Sequence, residues 1–170
     1  MKIRFLNSQN AAVYRELRLQ ALSESSTAFA SSVEQETYLT LTDFAARLET
    51  YDNCNSGIFG AFDNEERLIG MLGFSRETRP KRAHVGSLWS MYVLPEFRRL
   101  GIGSALLDSA LSHALELSLR QIVLTLTANN LAASTLYRSR GFERFGFERN
   151  ALLIDGIYFD REHLVLYYDI

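Results

Sequence analysis

Between Met91 and Ser104 a strand pattern stops at a proline, passes two arginines and two glycines, and opens into a long amphipathic helix pattern. The stretch reads Met91-Tyr92-Val93-Leu94-Pro95-Glu96-Phe97-Arg98-Arg99-Leu100-Gly101-Ile102-Gly103-Ser104. Proline cannot donate to a ladder, so Pro95 ends the strand, which begins near Ala83. In the helix Gly101–Leu119, Leu106, Ala110, His113 and Leu117 share one face, and Leu107, Leu111 and Ala114 widen it. Gln121–Thr127 follows as a compact apolar strand of the buried kind.

The rest of the chain arranges itself around this unit. Lys2–Leu6 alternates like a short strand. Residues 9–23 place Val13, Leu17 and Ala21 on one helix face. Residues 24–36 are small and polar and read as a loop, and a second helix is expected from an N-cap at Thr42 to Glu49. Gly57–Phe62 and Arg67–Arg76 read as a hairpin about the turn Asp63–Glu66. Leu131–Ser139 is a short helix ended by Gly141. Phe142–Leu153 and Ile157–Tyr168 form a hairpin about Asp155-Gly156. The order β-α-α-β-β-β-α-β-α-β-β predicts a mixed sheet with helices on its faces.

Composition narrows the function classes. At 170 residues the chain is read as one domain, 1–170. Hydrophobic residues make up 47% and charged residues 22%, values of a globular protein. The sequence holds no apolar run long enough for a transmembrane helix, and no secretory signal is visible at its start. A lone cysteine, Cys54, cannot form an internal disulfide, which fits a cytoplasmic location. A net charge of −2 argues against wholesale electrostatic binding to nucleic acid or membrane. Three scattered histidines and one cysteine make no metal-ligand spacing, so no metal is expected.

The turn before the long helix is a phosphate or pyrophosphate cradle in physical terms. A helix's first turn presents free N–H groups and the positive end of its dipole. Glycines let a phosphate approach that backbone, and Arg98 and Arg99 add positive charge. No Gly-Lys-Ser/Thr follows, so this is not a P-loop, and the third glycine of a dinucleotide fingerprint is missing.

A second element follows the Gln121–Thr127 strand: Asn130-Leu131-Ala132-Ala133-Ser134-Thr135-Leu136-Tyr137, then Gly141-Phe142. With Val93-Leu94-Pro95 and Arg98-x-x-Gly101-x-Gly103, this resembles the GNAT superfamily of N-acetyltransferases over residues 84–142. The resemblance implies an α/β (α+β) fold: a mixed, mostly antiparallel sheet of about seven strands, two of them splayed at its centre, with about four flanking helices. A looser likeness, Leu17-Arg18-x-x-Ala21-Leu22 with Ala28-Phe29-Ala30-Ser31-Ser32 and Asp155-Gly156-x-Tyr158-x-Asp160, points to a bacterial subset of that superfamily and names no substrate.

The resemblance further implies acetyl-CoA as co-substrate. Its pyrophosphate would lie on the N–H groups of Arg99, Leu100, Gly101, Ile102, Gly103 and Ser104 beside Arg98. Its pantetheine arm would pair with the backbone of Met91, Tyr92 and Val93 and touch Asn130 and Ala133. Tyr137 would assist the departing CoA thiolate. Thiols titrate near pKa ~8.5 and a phenol near ~10, so a positioned tyrosine can donate a proton or a hydrogen bond to the thiolate.

The acceptor is an amine of unknown identity, with a small molecule slightly favoured over a protein. Aromatics and acids of the variable loop and final hairpin would line its pocket: Glu34, Tyr38, Tyr158 and Asp160, with Ser87 and Trp89 on the strand. Such a lining would suit a cationic amine. The strand before Pro95 carries no acid, so the general base stays open among water held by Ser87 or Ser90, His84, Glu34, Glu36, Asp160 and Glu162. His163 reads as a structural strand residue. A non-catalytic acyl-CoA-binding or sensing module is the alternative function, and the aromatic tail (Tyr158, Phe159, Tyr167, Tyr168) could serve a homodimer interface.

Overall fold

In the computed structural model, which describes residues 1–51 and 55–168, seven strands form one sheet in the order β1-β2-β3-β4-β5-β7-β6. They are β1 (Lys2–Phe5), β2 (Ser56–Phe62), β3 (Leu68–Arg76), β4 (Val85–Val93), β5 (Gln121–Thr127), β6 (Glu143–Ile154) and β7 (Ile157–Tyr167). The helices are α1 (Ala11–Glu24), α2 (Val33–Thr37), α3 (Leu41–Glu49), α4 (Ile102–Glu116) and α5 (Leu131–Arg138). Cys54 lies outside the described residues. Among those residues no helix is long and apolar enough to cross a membrane.

Every strand pair is antiparallel except β4 with β5. That parallel pairing runs only from Val85–Gln121 to Leu88–Leu124. Beyond Leu88 the two strands part. The cause is a bulge in β4: Met71 faces Tyr92 and Gly73 faces Trp89, so Leu72 opposes both Ser90 and Met91. Ser90 takes the positive φ of 54° that the extra residue requires. A bulge bends its strand and increases the twist, which turns the end of β4 away from β5.

Local chemistry explains most boundaries. The β6–β7 hairpin closes on Asp155 (φ 51°) and Gly156 (φ 78°), two left-handed residues in succession, as a tight two-residue turn requires. Helix α4 buries Ile102, Leu106, Leu107, Ala110 and Ala114, close to the face read from its periodicity. His113 stands edge-on to Phe5, Phe59 and Phe74, which places it at the core boundary.

Three expectations need correction. The N-cap of α3 is Thr40, not Thr42: the Thr40 hydroxyl accepts from the Asp43 N–H and the Asp43 carboxylate accepts from the Thr40 N–H, a reciprocal box. Residues 24–36 are not all loop, because Ser32 caps the short helix α2, which makes five helices among the described residues rather than four. Val13 is 40% exposed, and the buried stripe of α1 is Ala11, Tyr14, Leu17, Arg18, Ala21 and Leu22. Tyr14 and Arg18 hide this stripe from a hydrophobic count, since each is buried by its partners rather than by its own apolarity.

Candidate active site

Two cavities open where β4 and β5 separate. The larger, about 510 Å³, is walled by the end of β4, the turn before α4 and the start of α5. Its floor is the cradle. Arg99 (φ 62°) and Gly101 (φ 81°) both take left-handed conformations, and a side chain added at Gly101 would meet nothing within 4 Å. The first bond of α4 runs from the Ala105 N–H to the Gly101 carbonyl. The N–H groups of Ile102, Gly103 and Ser104 therefore have no helical acceptor and form the positive end of the dipole. Such a helix start suits an anion of phosphate type.

Arg98 does not stand free beside this turn. Its Nε donates to the Val93 carbonyl (2.9 Å), its guanidinium lies over the Tyr92 ring, and Glu24 is 3.6 Å away. Tyr92 in turn donates its hydroxyl to Glu24 at 2.5 Å. That hydrogen bond holds the Glu24 carboxyl below the usual carboxylate range, while burial and Glu24 push the Tyr92 phenol up. Arg98 thus ties the turn to the end of β4 and to the C-terminus of α1. Among the described residues Arg99 has no such tie, and it stands exposed in the lining of the cavity.

On the opposite wall Asn130 caps α5. Its Oδ1 accepts from the Ala133 N–H (3.1 Å), leaving the side-chain NH₂ free to donate into the cleft that it lines. Gly103 faces Leu136 across the same cleft, 3.5 Å from where a Cβ would sit. Met91, Tyr92, Val93, Arg98, Arg99, Gly101, Ile102, Gly103, Ser104, Asn130 and Ala133 all line this cavity. Leu100 points out to solvent, 68% exposed. Tyr137, next in the chain to the lining residue Leu136, is not itself among the lining residues; it is 5% exposed, with its ring edge-on to Phe142 at 5.6 Å. Burial pushes its phenol up, so it is protonated throughout the neutral range.

The second cavity, about 350 Å³, shares Ala28 with the first. Trp89 and Ser90, brought to one side by the bulge, form its wall on β4. Trp89 lies flat over Gly73 of β3, where a Cβ would come within 2.3 Å of the indole. Arg18 of α1 donates to both oxygens of Glu36 and, through Nη1, to Ser90 Oγ (2.8 Å). Arg47 of α3 donates to Glu36 Oε2 (3.1 Å). Burial pushes the Glu36 carboxyl up, but the two arginines outweigh it and hold it below the usual range. Tyr14, pushed up to about 12 by burial, and Tyr51 add hydroxyls. Arg161 of β7 and Thr125 of β5 complete the lining.

This cavity differs from the one read in the sequence. Only Trp89 of the six expected acceptor residues lines it. Tyr38 is 87% exposed and Tyr158 59% exposed, both away from it, and Glu34 is exposed too. Ser87 lies in the paired stretch of β4, between Ser75 and Val123. Asp160 accepts from the Asn150 N–H in the hairpin. Among the base candidates, Glu36 is clamped by Arg18 and Arg47, and Glu162 by Arg138 (3.2 Å) and Arg144 (3.1 Å). His84 precedes β4 at the end opposite the cleft. Sequence reasoning passed over Arg47, Arg161 and the link from Thr125 to His163. Thr125 Oγ1 lies 3.1 Å from His163 Nδ1, and His163 Nε2 lies 3.3 Å from Glu148. One signal was available: Arg18 and Ala28-Phe29-Ala30-Ser31, noted only as a shared pattern, all line the cavity.

Comparison with known proteins agrees with this geometry. Residues 19–142 match the sequence model of the acetyltransferase (GNAT) family. A mycothiol acetyltransferase of Geodermatophilus obscurus is 36% identical over 120 residues, 69% of this chain and 38% of that protein. The chain spans less than half the length of the curated relatives that it matches first. A GNAT acetyltransferase of Streptococcus pneumoniae superposes with a TM-score of 0.84 at 24% identity, over 98% of this chain and 99% of that one. The protein yncA of Salmonella typhimurium, solved with its cofactor acetyl-CoA, superposes with a TM-score of 0.85 at 19% identity, over 100% of this chain and 95% of that one.

Proposed function

Since the chain belongs to the GNAT family of acetyltransferases, we propose that it moves an acetyl group from acetyl-CoA to a primary amine by direct attack. The observation that carries this reading is the pair of neighbouring cavities at the parting of β4 and β5, which share Ala28, one of them ending in unpaired helix N–H groups. The N–H groups of Ile102, Gly103 and Ser104 take the pyrophosphate, and Arg99 adds charge. The edge of β4 past Leu88, which has no β5 partner, receives the pantetheine as an added strand. The Asn130 NH₂ donates to it from the other side. A strand N–H near Met91 then faces the thioester carbonyl as a preorganised donor.

The amine approaches from the second cavity. It needs one proton removed before attack, and Thr125 leads that proton to His163 and Glu148. Tyr137, protonated at neutral pH, supplies the proton that the leaving thiolate takes up. Nothing in this scheme calls for a metal. The chain's work is read as cytoplasmic, and the exposed Leu153, Ile157 and Tyr158 at the hairpin tip suit self-association.

The test is CoA-thiol release from acetyl-CoA across a panel of primary amines, against a blank without acceptor. Release above the blank with at least one amine is expected. Protein that binds acetyl-CoA yet releases thiol with none would be a non-catalytic acyl-CoA-binding module instead.

A further inference from the structure

The 350 Å³ cavity is lined by three guanidinium groups, Arg18, Arg47 and Arg161, and by one carboxylate, Glu36. That carboxylate is already engaged. Arg18 donates to it from Nε and Nη2, and Arg47 from Nη1. It has little left to offer a cationic ligand, and the lining as a whole keeps an excess of positive charge. A polyamine or a lysine side chain would meet repulsion here.

Arg161 is the group without a counterpart. It stands on β7 opposite Thr127 of β5 and Glu148 of β6. Glu148 turns to His163 instead. The Arg161 Nε is buried with no hydrogen-bond partner, and among the described residues no carboxylate is recorded in ion-pair contact with its guanidinium. A buried charged donor left unpaired is costly, and a planar carboxylate is the partner that satisfies a guanidinium through two hydrogen bonds. The cavity is also at the small end of ligand sites.

We infer that the acceptor is a small primary amine that itself bears a carboxylate, held by Arg161, with its nitrogen directed toward Ser90 and Thr125. This rests on the acetyl-transfer reading above and specifies its substrate. The ammonium gives up one proton to become the free amine. The nitrogen then bonds to the acetyl carbon, the carbon–sulfur bond breaks, the nitrogen sheds a second proton, and the thiolate takes one up. The products are the N-acetylated acid, CoA thiol and one released proton, and the carboxylate is unchanged.

The test pairs amines that differ only in the acid. L-Leucine, L-phenylalanine and L-glutamate are each compared with the α-carboxamide, with β-alanine, spermidine and a lysine-containing peptide added. At least one acid is expected to exceed its amide, spermidine and the peptide by tenfold or more in kcat/KM. Arg161→Gln should shrink that acid-to-amide ratio toward one without altering the Kd for acetyl-CoA, and Arg161→Lys should restore part of it. Acetylation indifferent to the carboxylate, a preference for spermidine or the peptide, or an unaltered ratio in Arg161→Gln overturns the inference and leaves acetyl transfer standing. If no amine is acetylated, the transfer reading falls. Trp89 fluorescence of the CoA-loaded protein then decides the cavity alone: quenching by an acid and not by its amide upholds it, and no difference overturns it.

Discussion

Arg18 Nη2 lies 2.8 Å from Glu36 Oε1 with both side chains under a tenth exposed, so a fully charged pair joins α1 to α2 inside the cavity wall. Breaking a buried pair by removing one partner leaves an uncompensated charge, at a cost of about 3–5 kcal/mol. Arg47 still holds Glu36, so Arg18→Ala is expected near the low end, about 3 kcal/mol, or a fall of roughly 10 °C in Tm. The double variant Arg18→Met/Glu36→Leu should recover much of that loss. Urea or thermal unfolding of both variants checks this.

The same pair gives an acid limb to the stability. The Glu36 carboxyl is held below its ordinary value of 4.5. Its contribution is complete above that value and is lost as the pH falls through the lower folded pKa. Glu36→Gln should therefore be less stable at neutral pH and show a shallower loss of stability below about pH 4.5. Unfolding midpoints taken from pH 7 to pH 3 provide the comparison.

Gly73 makes room for Trp89. A Cβ at this position would lie 2.3–2.5 Å from indole atoms, and a packed ring cannot yield as a flexible tail can. Gly73→Ala is expected to cost about 1–3 kcal/mol and to displace the indole from the second cavity. Trp89 is the chain's single tryptophan, so its emission spectrum reports the shift directly. Amine KM should rise while acetyl-CoA affinity stays near that of the parent.

Gly103 faces the first cavity, and a Cβ there would meet only side chains at ordinary contact distance, Leu136 at 3.5 Å and Val93 at 4.0 Å. Gly103→Ala should bind acetyl-CoA nearly as the parent does. Gly103→Phe should fill the cleft and lower affinity at least a hundredfold, with a Tm change of a few degrees. Isothermal titration of both variants separates a blocked cleft from a damaged fold.

The two proton steps separate by mutation. Tyr137→Phe removes the hydroxyl and keeps the ring on Phe142, so kcat should fall about 10²-fold with acetyl-CoA affinity retained. His163→Gln keeps a polar neighbour for Thr125 but cannot carry a proton. It should lower kcat by a similar factor, again with acetyl-CoA affinity retained. Steady-state rates and acetyl-CoA titrations of both variants provide the check.

Much of the first cavity was legible in the residues themselves. Pro95 stopping a strand, Gly101 supplying a left-handed turn, Asn130 capping a helix and Asp155-Gly156 closing a hairpin are all local matters. Each depends on one residue's backbone preferences and its nearest neighbours. The apolar period of α4 and the compact run of β5 likewise carry their own burial pattern. The second cavity was decided elsewhere. Arg18, Glu36, Arg47, Trp89 and Arg161 come from five separate elements, and nothing near any of them in the chain names its partner. Glu36 looked like a free acid until two arginines closed on it. Arg161 looked like one more surface charge until the sheet order put β7 beside β5. The sequence determined where the chain turns and which faces are greasy, because those follow from local geometry. Only the tertiary structure decided the charge of the second cavity, because a side chain's electrostatic partners are set by the topology that brings distant segments together.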